Sequence, residues 1–179
     1  MSMVKLVPLE WDHWKMYRKW VNDPEIALLI DRYLPVSKFQ HRKFYESLLL
    51  DKTKIFFSVL KGPKDRFVGV CALKNIHPKS RKAEFYICLN GKGVRGKGLG
   101  RQVVQKILDY AFDTLNLNRV YLFTPVYNKA AIRCYRSVGF VEEGRFLEDV
   151  YANGCYHDSI HMCYLRRFRK GTKTKGRRV

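Results

Sequence analysis

The run Asn90-Gly-Lys-Gly-Val-Arg-Gly-Lys-Gly-Leu-Gly100 concentrates the residue types that hold phosphate. Glycines let backbone N–H groups approach an anion, and a helix starting after the run adds its positive dipole end. Spacing then separates the families that use such loops. Gly91, Gly96 and Lys97 match the Walker A frame, but Gly98 stands where a Ser or Thr hydroxyl must hold magnesium. Gly91, Gly93 and Gly96 match the dinucleotide frame, yet the following strand ends in Thr124-Pro125 instead of the acid that grips a ribose. A phosphate-bearing ligand outside those two classes is expected.

A second patterned segment, Asn128-Lys-Ala-Ala131-Ile-Arg-Cys-Tyr135-Arg-Ser-Val-Gly139-Phe140, follows the loop. Together, Arg95-Gly-Lys-Gly98-Leu-Gly100 and this segment resemble the two motifs of the GNAT acetyltransferases, Arg/Gln-x-x-Gly-x-Gly/Ala and Asn-x-x-Ala-x-x-x-Tyr-x-x-x-Gly-Phe, in the right order. The resemblance runs from Arg66 to Tyr164. With Trp20-Val-Asn-Asp-Pro-Glu25 and Ala83-Glu84-Phe-Tyr-Ile, it is most similar to the ribosomal-protein N-terminal, spermidine and amino-sugar branch.

The resemblance implies acetyl transfer from acetyl-CoA to a primary amine, by direct attack in a ternary complex and without a metal. Such transfer needs an uncharged nucleophile, stabilisation of an oxyanion and a proton for the departing thiolate. By resemblance, the backbone at Ile87, Cys88 and Leu89 holds the pantetheine arm. The amides of Arg95, Gly96, Lys97, Gly98, Leu99 and Gly100 wrap the pyrophosphate, Asn128 and Ala131 lie along the cofactor arm, and Tyr135 protonates the sulfur. For the base, Glu84 shares a strand face with Tyr86 and Cys88 and is the first choice, working through water. Its alternative is a carboxylate paired with a neighbouring strand or helix. His157, Asp158 and His161 are reserves, and Cys88 or Cys134 as an acetyl carrier ranks below direct transfer because neither has a base placed beside it by motif.

These groups need elements to position them. Val4 to Pro8 reads as a strand, Glu10 to Val21 as a helix ended by Asn22-Asp23-Pro24, and Ser37-Lys-Phe-Gln40 as a capping box opening a second helix. Strands are expected at Ile55 to Lys61, Arg66 to Ile76 and Arg81 to Leu89. After the glycine loop, apolar positions from Val103 to Leu115 mark a helix face, and Arg119 to Phe123 returns to strand. A short helix over Lys129 to Ser137 leads to two strands, Phe140 to Tyr151 and Cys155 to Leu165, joined through Asn153-Gly154, a hairpin signal. With the resemblance, this order implies an α/β fold: a mixed, mostly antiparallel twisted sheet with helices on both faces, splayed at a cofactor cleft.

Residues 1–165 read as one domain and 166–179 as a basic tail expected to be disordered. The 179 residues are 46% hydrophobic and 14% aromatic, a globular composition. No apolar run is long enough to span a bilayer. Five cysteines at scattered positions fit a reducing, cytoplasmic setting. The net charge of +19, eight units of it in the tail, favours anionic partners; the tail reads first as a solvated end with no specific role and second as a weak contact with RNA or a ribosome. By the same reasoning polyamines rank last among acceptors, because Asp23, Glu25, Asp31, Glu46 and Asp51 are scattered among lysines and arginines. A nucleotide-linked amino sugar or a protein N-terminus ranks higher. Two non-catalytic alternatives remain: an acetyl-CoA-binding regulator and a basic RNA-associated module.

Overall fold

The computed structural model describes residues 4–90 and 98–169. Seven strands form one sheet: β1 (Val4–Pro8), β2 (Ile55–Lys61), β3 (Arg66–His77), β4 (Lys82–Leu89), β5 (Arg119–Pro125), β6 (Val141–Ala152) and β7 (Cys155–Leu165). Their order is β1-β2-β3-β4-β5-β7-β6. Every neighbouring pair is antiparallel except β4 with β5.

That parallel pair decides the architecture. Only Lys82, Ala83 and Glu84 pair with Arg119, Val120 and Tyr121. Beyond them β4 stays bonded to β3 as far as Leu89, and β5 stays bonded to β7 as far as Pro125. The sheet therefore opens from Phe85 and Leu122 onward, as the expected splay requires.

Alternation along the strands builds two cores. Ala83 and Phe85 face the helices α4 (Leu99–Asp109) and α5 (Lys129–Val138), with Val103, Val104 and Ile107 of α4 fully buried among them. On the other face Val70 and Cys88 meet Trp14, Tyr17 and Val21 of α1 (Trp11–Val21). A short helix α2 (Pro24–Leu29) and α3 (Lys38–Leu48) complete that layer. Where the expectation had two helices after the first strand, there are three. Asn22-Asp23-Pro24 ends α1 and also starts α2, because the Asp23 carboxylate caps the N–H of Glu25 and Pro24 occupies the first turn, where its missing donor costs nothing. The α3 capping box forms as expected, Ser37 Oγ accepting from Gln40 N and Gln40 Oε1 from Ser37 N.

The last turn of the α4 segment, Tyr110–Thr114, widens into a π-helix. At the hairpin tip Asn153 and Gly154 both adopt positive φ, 53° and 84°. The expectation of disorder from Arg166 does not hold for residues 166–169. Arg166–Phe168 is a 3-10 turn, and Arg169 bridges Asp113 and Asp109 at 2.5 and 2.9 Å. Two acids left by the final turns of the preceding helix supply anchors that the local sequence of the tail does not reveal. Residues 170–179 lie outside the described residues.

Candidate active site

Glu84 and Tyr135 flank the root of the splay from opposite faces of β4. Glu84 belongs to the last β4–β5 pair before the strands part, beside Tyr121. Its carboxylate accepts from Lys74 Nζ at 2.7 Å and Asn75 Nδ2 at 2.8 Å, the cross-strand pairing held open as the alternative to a base. Tyr135 lies on α5, buried and edge-on to Phe85, with ring centroids 6.2 Å apart. Burial pushes its phenol well above the ordinary range, so it keeps its proton at neutral pH.

The cofactor cradle is in part described. Arg95, Gly96 and Lys97 lie outside the described residues. Gly98 caps α4 in the left-handed region at φ 70°, a conformation a side chain adopts only under strain. No acidic side chain stands in the first turn of this 11-residue helix, leaving its orphan amides free of a competing carboxylate. Leu99 is buried, and a Cβ on Gly100 would meet Cys134 Sγ on α5 at 3.3 Å, so Gly100 sets how closely the two helices approach. The open backbone from Phe85 to Leu89 and the α4 N-terminus thus fit an extended thioester with a pyrophosphate at one end.

Asn128 caps α5, accepting from Ala131 N at 3.2 Å, and donates to Leu29 O at 3.4 Å. Tyr127 donates to Leu28 O at 3.0 Å, so the end of α2 is fastened across the mouth of the splay. Cys88 is buried with its thiol pushed up to about 12, and burial raises Cys134 as well, so neither presents a thiolate. His157 and Asp158 are bound within the last hairpin, to Ala152 O and to Glu148 N respectively. His161 stacks on Phe123.

Four features were not singled out by sequence reasoning. Gly69, opposite Leu89, has no room for a side chain: a Cβ there would stand 2.4 Å from Leu89 Cδ2 and 2.6 Å from the Cys88 carbonyl. Tyr17 and Tyr86 share a 2.5 Å hydroxyl contact under the helical layer. Above them a cavity of about 610 Å³ is lined by Trp14, Tyr17, His41, Phe56, Tyr86 and the loop at Arg32. His41 is 4% exposed, stacked on Trp14 at 4.2 Å, and its Nε2 has no hydrogen-bond partner. The apolar spacing of Trp14 and Tyr17 on α1 was the available signal for a buried face here, though it carries no hint of a histidine arriving from α3.

Among the described residues no group of three or more His, Cys, Asp or Glu side chains is arranged to hold a metal, and no helix is long and apolar enough to cross a membrane.

Comparison with known proteins agrees with this geometry. The acetyltransferase (GNAT) domain model matches residues 4–141. The chain is 30% identical over 168 residues to spermidine N(1)-acetyltransferase of Escherichia coli (strain K12), covering 91% of this chain and 86% of that protein. It is 36% identical over 108 residues to the spermidine N(1)-acetyltransferase of Vibrio cholerae, 60% of this chain and 62% of that protein. The crystal structure of spermidine N-acetyltransferase from Vibrio cholerae in complex with CoA and spermine superposes with a TM-score of 0.85 at 30% identity, over 92% of this chain and 96% of that one. The chain belongs to the GNAT family and is an acetyl-CoA-dependent N-acetyltransferase.

Proposed function

We propose that this enzyme acetylates a primary amine by direct transfer, with Tyr135 as general acid and Glu84 as general base acting through water. The observation that carries the reading is the placement of these two side chains on opposite faces of β4 at the root of the splay, next to Phe85 and Tyr121. The acceptor enters from the α1–α3 side, over Tyr86, which stands two residues beyond Glu84 on the same strand face. Bound in the splay, acetyl-CoA supplies an activated acetyl group. The Phe85–Leu89 backbone orients it, the α4 N-terminus and the glycine loop hold its pyrophosphate, and Tyr135 keeps a proton ready for the leaving sulfur. No metal takes part in this scheme, and the reducing cytoplasm suits the five free cysteines.

The named activity of the relatives supports a second reading, a polyamine acceptor. The cavity lining does not favour it, because it offers one carboxylate, Asp31, against Arg32, Lys54 and Lys74. A screen of amines with acetyl-CoA, reading CoA release, tests both. Acetylation of an amino sugar or a peptide N-terminus above spermidine is expected. A protein that binds acetyl-CoA but acetylates no amine would overturn the catalytic reading.

A further inference from the structure

The cavity over Tyr17 and Tyr86 has a polar floor and cationic walls. His41 reaches it from the first turns of α3, buried against Trp14, with Nε2 unpartnered. The walls carry Arg32 on the α2–α3 connection, Lys54 before β2 and Lys74 on β3. Two of these cations are braced by carboxylates that do not line the cavity: Lys54 by Asp51 at 2.7 Å and Lys74 by Glu84 at 2.7 Å. Arg32 forms no ion pair among the described residues. The lining sets Arg32, Lys54 and Lys74 against one carboxylate, Asp31.

We propose that this cavity is an anion subsite of the acceptor, in which Arg32, with Lys54 and Lys74 on the same walls, holds a phosphate or carboxylate carried by the amine. The inference rests on the catalytic reading above and names its substrate class: an amine with an anionic handle. A guanidinium suits an anionic oxygen, whereas an ammonium group would meet Arg32, Lys54 and Lys74 and find one carboxylate, Asp31, on the lining. The Tyr17–Tyr86 hydroxyl pair adds a neutral polar surface for hydroxyl groups beside the anion.

The test uses the full chain saturated with CoA, so that the cofactor's own phosphate site is filled, and titrates inorganic phosphate at constant ionic strength. Trp14, stacked on His41, reports occupancy by fluorescence. Phosphate should change the signal saturably. Arg32→Ala, on an exposed loop, should weaken it at least tenfold, and Arg32→Lys should restore part of the loss. In turnover, 2-aminoethyl phosphate should exceed ethanolamine at least tenfold in kcat/KM, and Arg32→Ala should erase that preference through KM. Phosphate binding unchanged by Arg32→Ala, or spermidine saturating the same signal at lower concentration than phosphate, would overturn the subsite. Arg32-dependent phosphate binding without acetylation of any amine would leave the subsite standing and defeat the catalytic reading instead.

Discussion

Acidification should destabilise this protein through His41 within a definite window. Burial, then the Arg18 and Arg32 charges, lower its pKa from 6.5 to about 4. The folded pKa is depressed for a group that gains charge on protonation, so below 6.5 the unfolded chain binds a proton that the native state refuses. Stability is therefore full above 6.5, falls as pH drops toward 4, and levels off for this group below 4. With those two values the loss between pH 7.5 and pH 5 is about 2 kcal/mol, and its limit is about 3 kcal/mol. Desolvation also lowers His161, which adds loss of the same sign. Asp51 and Glu143, held to about 2 by Lys54 and Arg119, act with the same sign in a lower window: their stabilisation is present above the unfolded carboxylate value and is lost as pH falls toward 2. The comparison is urea unfolding of the parent and His41→Gln at pH 7.5 and 5, since the amide keeps polarity but does not titrate. The parent should lose about 2 kcal/mol more than the variant. Parallel losses in the two proteins would refute the buried, neutral histidine.

Tyr135→Phe should retain acetyl-CoA binding and lower kcat on the order of 100-fold where chemistry limits the rate; an unchanged kcat would return Tyr135 to a packing role. Gly69→Ala should force β3 and the Cys88–Leu89 end of β4 apart, costing about 1–3 kcal/mol and weakening CoA binding, as read by thermal unfolding with and without CoA. Dialysis against a chelator should leave turnover with acetyl-CoA unchanged, and restoration of lost activity by added manganese would contradict the metal-free scheme. Truncation after Arg169 should preserve the melting temperature, whereas truncation after Leu165 should lower it by freeing Asp109, Asp113 and the Phe112 carbonyl that Arg166 caps.

Much of the scaffold was legible because its signals are local. Ser37 with Gln40, the α4 apolar face and Asn153-Gly154 each encode their geometry within a few residues. The order of strands and the resemblance of two motifs placed Glu84 and Tyr135 at one cleft. What escaped depends on pairs far apart in the chain. Gly69 must be small only because Leu89 and the Cys88 carbonyl press on it, 20 residues away across a hairpin whose register the sequence does not print. His41 is remarkable for nothing on α3 and acquires its properties from Trp14 and from cations on two other segments. The missed α2 is a different case: Asp-Pro serves equally as a stop and as a start, and only the capping bond to Glu25 N decides.

The place of β7 in the sheet bears on how the chain is made. Among the described strands β7 is synthesised last, yet it lies between β5 and β6. Until Cys155–Leu165 emerges, β5 offers an open backbone edge on the side away from β4, and β6 has no strand partner among the described residues. A nascent chain stalled before Cys155 therefore carries two unpaired strands, with Phe123, Phe146 and Leu147 among the side chains left on the surface even in the finished fold. Premature termination within Cys155–Leu165 should yield aggregates or proteolytic fragments, not a weakened enzyme, and translation speed across this segment becomes a determinant of yield.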